Sequence, residues 1–247
     1  MEFTTETVSD GVSERLFTLG EITGVLWAPA ATPAAEGAGR PVILLGHGGG
    51  QHKLGPGLVA RARRFVTRLG AVAVAIDAPE HGDRPTAGAR ARFTAEAAEL
   101  RAAGEPVLPA IVRYNLEMAA HAVPEWQATL DAVQQLPETG PAGYWGVSMG
   151  TMIGLPLVAA EPRIGAAVLG LAGGPALEEL AARVTIPVEF LLQWDDELVA
   201  RESVLALFGA FGSAEKTLHA NAGQHGAIPR FELDSAERFF ARHLTGS

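Results

Sequence analysis

Ser148 stands at the centre of Gly146-Val147-Ser148-Met149-Gly150, a G-x-S-x-G pattern. An apolar run leads into it and a helix-forming run, 151–160, follows. In that strand–turn–helix context a serine hydroxyl is pushed out over the edge of a sheet. The positions two before and two after the serine must be small, because strand and helix nearly touch there, and Gly146 and Gly150 meet that need. The following helix also points its positive end at the site, where negative charge would develop. A serine hydroxyl attacks poorly until a base takes its proton and an acid orients that base. Behind such a turn the acid comes next along the chain and the histidine last. Gln193-Trp194-Asp195-Asp196-Glu197 supplies carboxylates after an apolar run, with Asp195 and Asp196 both eligible. Ala222-Gly223-Gln224-His225-Gly226 supplies an imidazole just before the last helical stretch. Two backbone N–H groups would hold an oxyanion: that of Met149, after the nucleophile, and that of Gly49 in Gly46-His47-Gly48-Gly49-Gly50, with Gly48 and Gly50 close behind. The chemistry this set can do is acyl transfer.

These groups need elements to place them. Residues 14–19 and 21–27 are short strand-like runs around Gly20 and predict an antiparallel hairpin. Residues 28–40, rich in Ala, Pro and Gly, predict an exposed loop. Residues 41–45, 71–76, 142–147, 164–171 and 187–193 are apolar runs that suit strands covered on both faces, and 216–219 reads as a shorter strand. Helical spacing appears over 58–69, 177–184, 204–211 and 231–244, and over 111–123 and 124–136, read as two helices or as one kinked at Pro124. This alternation predicts an α/β fold with a mostly parallel central sheet, an N-terminal antiparallel hairpin and helices on both faces, in a single domain over 1–247. The candidate acid and base then fall in loops at the C-terminal ends of strands, where α/β sheets place ligands. Residues 86–123 form a longer connection than two strands need, and they predict a small helical lid over Ser148. His81, Phe93 and Tyr114 are the substrate-binding candidates there.

Composition removes other function classes. The 247 residues carry a formal net charge of −9, and the one basic cluster, Arg61-Ala62-Arg63-Arg64, reads as the solvated side of a helix, so no nucleic-acid partner is expected. The chain has no cysteine, which excludes disulfides, thiolate nucleophiles and cysteine metal sites. Of the seven histidines, His47 reads as a loop-holding residue, while His52, His121, His219 and His243 read as surface or packing residues. No metal and no cofactor is expected. The glycines after residue 45 match neither the phosphate-binding nor the dinucleotide-binding pattern. No run approaches the roughly 20 apolar residues of a membrane helix, and the polar start, Met1 to Glu6, lacks the pattern of a secretory leader. A cytoplasmic monomer or homodimer acting on a small molecule is the expectation.

On His47-Gly48-Gly49-Gly50, Asp77-Ala78-Pro79, His81-Gly82, Gly146-Val147-Ser148-Met149-Gly150, Asp196-Glu197-Leu198-Val199 and Gln224-His225-Gly226, the chain resembles the α/β-hydrolase superfamily, in particular its compact dienelactone-hydrolase-like and carboxylesterase members. The resemblance covers about residues 14–244. It implies Ser148 as nucleophile, His225 as base and Asp196 as acid, since the family's hydrophobic-Val pair after the acid fits Leu198-Val199. Dienelactone hydrolases proper carry a cysteine nucleophile where this chain has serine. The resemblance therefore implies hydrolysis of small to medium carboxylic esters, through an acyl-enzyme. Thioesters, lactones, amides and carbon–carbon bonds stay open as substrates, and a non-catalytic binding protein with this fold is the rival.

Overall fold

A computed structural model describes residues 1–30, 39–84, 86, 88–137 and 139–245. Most of the loop predicted over 28–40 therefore lies outside the described residues. Along the chain run β1 (Glu2–Ser9), β2 (Val12–Leu19), β3 (Ile22–Pro29), β4 (Arg40–Gly46), α1 (Pro56–Leu69), β5 (Val72–Ile76), α2 (Ala89–Ala103) and α3 (Leu108–Gln134). Then come β6 (Thr139–Gly146), α4 (Met149–Ala160), β7 (Ile164–Gly170), α5 (Pro175–Ala181), β8 (Val188–Gln193), α6 (Arg201–Ala210), β9 (Lys216–Asn221) and α7 (Phe231–Leu244). The described strands form one sheet in the order β1-β2-β3-β5-β4-β6-β7-β8-β9. Pairing is antiparallel from β1 to β5 and parallel from β5 through β4 to β9.

Strand residues alternate between two cores, as a period of two requires. Val42 and Leu44 face one side with Tyr144, Met118, Leu130, Met152 and Phe190. Ile43 and Leu45 face the other with Phe65, Trp145 and Phe240. Helices α3 to α6 thus cover one face, and α1 and α7 the other. This is the α/β architecture with a mostly parallel sheet that the strand and helix pattern predicts.

Two readings are refined and one needs correction. The N-terminal unit has three strands, not two. β1 is almost wholly exposed, and its apolar residues Phe3 and Val8 do not alternate, so it carries no hydrophobic period; it joins β2 through Asp10-Gly11, both at positive φ, the backbone that a two-residue hairpin turn demands. Of the two readings of 111–136, the single helix holds: α3 runs without a break from Leu108 to Gln134, with Pro124 inside it. Arg61, Arg63 and Arg64 do not make a merely solvated face. Arg61 lies 3.8 Å over the Trp145 ring, Arg63 donates to Ser9 O at 2.8 Å, and Arg64 pairs with Asp234 and Glu237 on α7 at 2.5 and 2.6 Å.

The loops after β4 and β5 are joined by a buried ion pair. Lys53 Nζ lies 2.5 Å from Asp77 Oδ2, with the two side chains 4% and 0% exposed. Asp77 also accepts the Lys53 amide at 2.9 Å, the Thr23 hydroxyl at 2.9 Å and the Asp83 amide at 3.1 Å. Burial opposes ionisation of Asp77, but the donors around it win and hold it below the usual carboxylate range. Burial likewise opposes the charge on Lys53, and its bonds to Asp77 and Asp83 hold it above the usual range. The Asp77 contribution is present above the unfolded carboxylate value of roughly 3.9 and is lost as pH falls through the lower folded value. The Lys53 contribution is lost only as pH rises through its raised folded value. Lys53→Met should cost about 3–5 kcal/mol near pH 7, because Asp77 is left buried without its ammonium. In that variant Asp77 protonates more readily, so the gap to wild type should narrow as pH is lowered from 7 to 5. Urea unfolding at both pH values checks this, and a gap that widens on acidification would contradict it.

Candidate active site

Ser148 occupies the turn between β6 and α4 with φ 58° and ψ −121°, a left-handed conformation that side-chain-bearing residues rarely adopt. Close packing enforces it. A Cβ on Gly146 would lie 2.8 Å from Gly150 O, and one on Gly150 would lie 2.7 Å from Gly46 O. The Tyr144 hydroxyl donates to Gly150 O at 2.7 Å, and a Cβ on Gly154 would meet the Tyr144 ring at 2.1 Å. Thr151 Oγ1 sits 2.8 Å from Gly146 O and accepts the Gly170 amide at 2.8 Å, tying the start of α4 to the ends of β6 and β7. Ser148 N donates to Gly170 O at 2.9 Å.

Ser148 Oγ lies 2.9 Å from His225 Nε2, and His225 Nδ1 lies 2.7 Å from Asp196 Oδ2. A carboxylate only accepts, so Nδ1 carries the proton and Nε2 presents its lone pair to the serine hydroxyl. The Asp196 side chain is 1% exposed, and its Oδ1 accepts the amides of Leu198 and Val199 at 2.8 and 2.9 Å. The neighbouring acids contact other parts of the histidine loop. Asp195 Oδ2 accepts the Gly223 amide at 3.1 Å, and Glu197 Oε2 accepts the His225 amide at 2.9 Å. That donated amide holds the Glu197 carboxyl below its ordinary range.

The ends of the His225 loop are also pinned. Glu232 Oε1 accepts Asn221 Nδ2 at 2.8 Å, joining the last residue of β9 to the first turn of α7. Its Oε2 lies 2.7 Å from His219 Nδ1. His219, read from sequence as a surface or packing residue, thus belongs to a buried carboxylate cluster that also includes Glu189. Burial raises Glu189 above the usual carboxylate range.

The glycine loop after β4 lies beside the serine: a Cβ on Gly49 would be 3.9 Å from Met149 Cβ. Met149 opens α4, so its amide has no intrahelical acceptor. His47 anchors this loop. Its Nε2 accepts the Ala78 amide at 3.0 Å, which leaves the proton on Nδ1, 2.9 Å from Gly48 O. Burial lowers its pKa to about 4, so it stays neutral. Burial also lowers His81, whose Nδ1 sits 2.8 Å from Pro79 O.

A cavity of about 390 Å³ opens on Ser148 and His225, with Gly49 and Met149 in its wall. His81, Phe93 and Tyr114 all line it. Phe93 stacks on Tyr114 with centroids 4.7 Å apart and planes at 14°. α2 is positioned by Glu80, whose carboxylate accepts the Ala89 and Arg90 amides at 3.0 and 2.6 Å. Sequence reasoning passed over the polar or soft residues Arg90, Thr94, Arg101, Asn115 and Met152 of this wall. Asn115 follows Leu108 and Ile111 at helical spacing, and that stripe was the available signal.

No family model matches the chain, and no curated protein matches it. Among solved structures it is similar to a cold-adapted esterase from an Arctic intertidal metagenomic library, in a PEG-bound complex. The identity there is 36%, over 99% of this chain and 100% of that one, with a TM-score of 0.75. It is similar in fold to an acetyl xylan esterase from Paenibacillus sp. R4, at 13% identity, 98% and 87% coverage and TM-score 0.65. It is likewise similar in fold to Est1E from Butyrivibrio proteoclasticus with ferulic acid bound, at 14% identity, 97% and 99% coverage and TM-score 0.64. With the sheet order, the strained serine turn and a 36% identical relative matched along its whole length, the chain belongs to the α/β-hydrolase superfamily.

Proposed function

We propose that the protein is a serine esterase acting on small to medium carboxylic esters, with Ser148 as nucleophile, His225 as base and Asp196 as orienting acid. The observation that carries this reading is the unbroken series Asp196 Oδ2–His225 Nδ1 and His225 Nε2–Ser148 Oγ, at 2.7 and 2.9 Å, at the mouth of a cavity. The esterase activity named for its 36% identical relative supports it.

In this reading Ser148 Oγ attacks the ester carbonyl as its proton passes to His225 Nε2. The carbonyl oxygen becomes an oxyanion, held by the Met149 and Gly49 amides and by the positive end of α4. The intermediate collapses, His225 protonates the departing alcohol, and an acyl-serine remains. A water then attacks the acyl carbon, gives its proton to His225, and the carboxylic acid leaves as the proton returns to Ser148. Asp196 stays ionised and holds the imidazole in the productive tautomer. Residues 86–123, read as α2 and the first half of α3, act as the cover that sets substrate size, with Phe93 and Tyr114 as its underside. The substrate is a small molecule. No helix among the described residues is long and apolar enough to cross a membrane.

Ser148→Ala should lower turnover of p-nitrophenyl acetate at least about a thousandfold with an unchanged circular dichroism spectrum, and His225→Ala should cost nearly as much. A folded Ser148→Ala protein that keeps most of its activity would move the nucleophile elsewhere. Asp196→Asn should lower kcat by roughly ten-thousandfold through the wrong imidazole tautomer. Asp195→Asn keeps an acceptor for the Gly223 amide and should cost no more than about tenfold. The reverse ranking would transfer the acid role to Asp195. Phe93→Ala opens the cavity and should shift preference from acetate towards octanoate in a p-nitrophenyl ester series; an equal change at every chain length would mean that α2 only supports the fold.

A further inference from the structure

We propose that the ester substrate carries a hydroxyl group, which is seated against Tyr114 and Asn115 in the cavity that opens on Ser148. The inference rests on the esterase reading and adds the substrate's chemical class to it.

Asn115 is 5% exposed and Tyr114 is 8% exposed. The amide of Asn115 is oriented by its neighbours. Its Nδ2 donates to Ile111 O at 2.9 Å and approaches Met152 Sδ at 3.2 Å. Both of those atoms are acceptors, so the nitrogen must face them and Oδ1 is what remains. Oδ1 is buried and has no protein partner. The Tyr114 hydroxyl is likewise buried without a partner, and burial raises its pKa, so it keeps its proton as a donor. Stacking on Phe93 fixes the ring that carries it. Both residues line the cavity that Ser148 and His225 line.

Buried polar groups are almost always paired in a folded protein, and leaving one unpaired is costly. Two neighbouring residues of one helix that line one cavity, each with a buried polar atom unsatisfied by protein, therefore mark a place where a ligand completes the bonding. Asn115 Oδ1 needs a donor, and the Tyr114 hydroxyl offers one and accepts as well. A hydroxyl is the smallest neutral group that serves both. A carboxylate or ether only accepts, which leaves Asn115 unpaired, and an alkyl group satisfies neither. Leu108, Ile111 and Met152 supply apolar wall to the same cavity, and Arg90, Thr94 and Arg101 supply polar wall. A site built around such bonds discriminates against the analogue that lacks the hydroxyl, because its own polar groups are then stranded.

The test compares kcat/KM of the wild-type enzyme in two arms. One varies the acyl part: ethyl 3-hydroxybutyrate, ethyl 3-methoxybutyrate and ethyl butyrate. The other varies the alcohol part: 3-hydroxypropyl butyrate, 3-methoxypropyl butyrate and propyl butyrate. In one arm the hydroxy ester should exceed the unsubstituted ester by about ten- to a hundredfold, with the methoxy ester well below the hydroxy ester. That arm tells which side of the ester enters the cavity. Tyr114→Phe and Asn115→Leu should each bring the hydroxy-to-plain ratio towards one. Hydrolysis of plain esters with ratios near one in both arms would overturn the inference and leave the esterase reading standing. A high ratio that neither variant lowers would also overturn it. If both variants fail to fold, the wild-type hydroxy-to-methoxy ratio still decides: near one, the inference fails. No hydrolysis of any ester would overturn the esterase reading itself.

Discussion

The backbone at Ser148 is the constraint on which the rest depends. A serine at φ 58° is strained, by on the order of 1–3 kcal/mol, and persists only where its surroundings forbid relaxation. Here the surroundings are backbone atoms. Gly46, Gly146 and Gly150 bring β4, β6 and α4 so close that a single methyl group on any of them would collide with a carbonyl oxygen or with the Tyr144 hydroxyl. Tyr144 is fully buried in that gap and clamps the first turn of α4 through Gly150 O. Thr151 makes the same kind of bond towards β7. The strand order brings these pieces together, because β4 lies next to β6 and β6 next to β7. The sheet topology and the strained serine are therefore one fact seen at two scales.

The partners of the serine are placed with different means. Asp196 and His225 stand on loops after β8 and β9, the neighbouring strands at one side of the sheet. Loops are soft, so their geometry has to be imposed by bonds. Three consecutive acids do this, each from its own side: Asp195 on the Gly223 amide, Asp196 on the His225 ring, Glu197 on the His225 amide. Glu232 closes the loop from behind through Asn221. On the other flank, His47 and the Lys53–Asp77 pair fix the glycine loop to the segment after β5. Burying that ion pair costs desolvation, and the four donors on Asp77 offset it.

Much of this was legible in the sequence, and the reasons differ by residue. The apolar runs of β4 to β8 and the order serine, aspartate, histidine are local signals, so the architecture, Ser148 and His225 followed from them, while Asp196 was separated from Asp195 only by the family resemblance. β1 was missed because a polar edge strand has no hydrophobic period, although Asp10-Gly11 was a turn signal in plain view. The arginines of α1 were misread because their partners, Trp145, Asp234 and Glu237, lie far along the chain. The separate tasks of Asp195 and Glu197 could not be read at all. They depend on amides 28 residues away, and nothing in the composition of a loop states which carboxylate faces which amide. Asn115 was hidden for another reason. Its place on the apolar stripe of α3 marks it as inward-facing, but which of its polar atoms lack a partner is decided by Ile111 O and Met152, which only the fold brings to it.

α2 has a further bearing on how the protein works. Its fully buried side chains are Ala89 and Ala97 alone, with Phe93 half-buried between them. Beyond the Glu80 carboxylate that holds its first turn, two methyl groups and part of a ring add a few kcal/mol of anchorage, on the order of 0.8 kcal/mol per buried carbon. Its ion pairs to α3, Arg92–Glu117 and Arg113–Glu96, are exposed and add little. The serine turn, by contrast, is locked by backbone on backbone. If α2 is the cover proposed above, the molecule has two melting scales: a cover held at small cost, and a serine turn that keeps its shape until the sheet itself gives way. On that reading reactants and products would pass the cover without disturbing the strained serine, and warming would cost selectivity for substrate shape before it cost the chemistry.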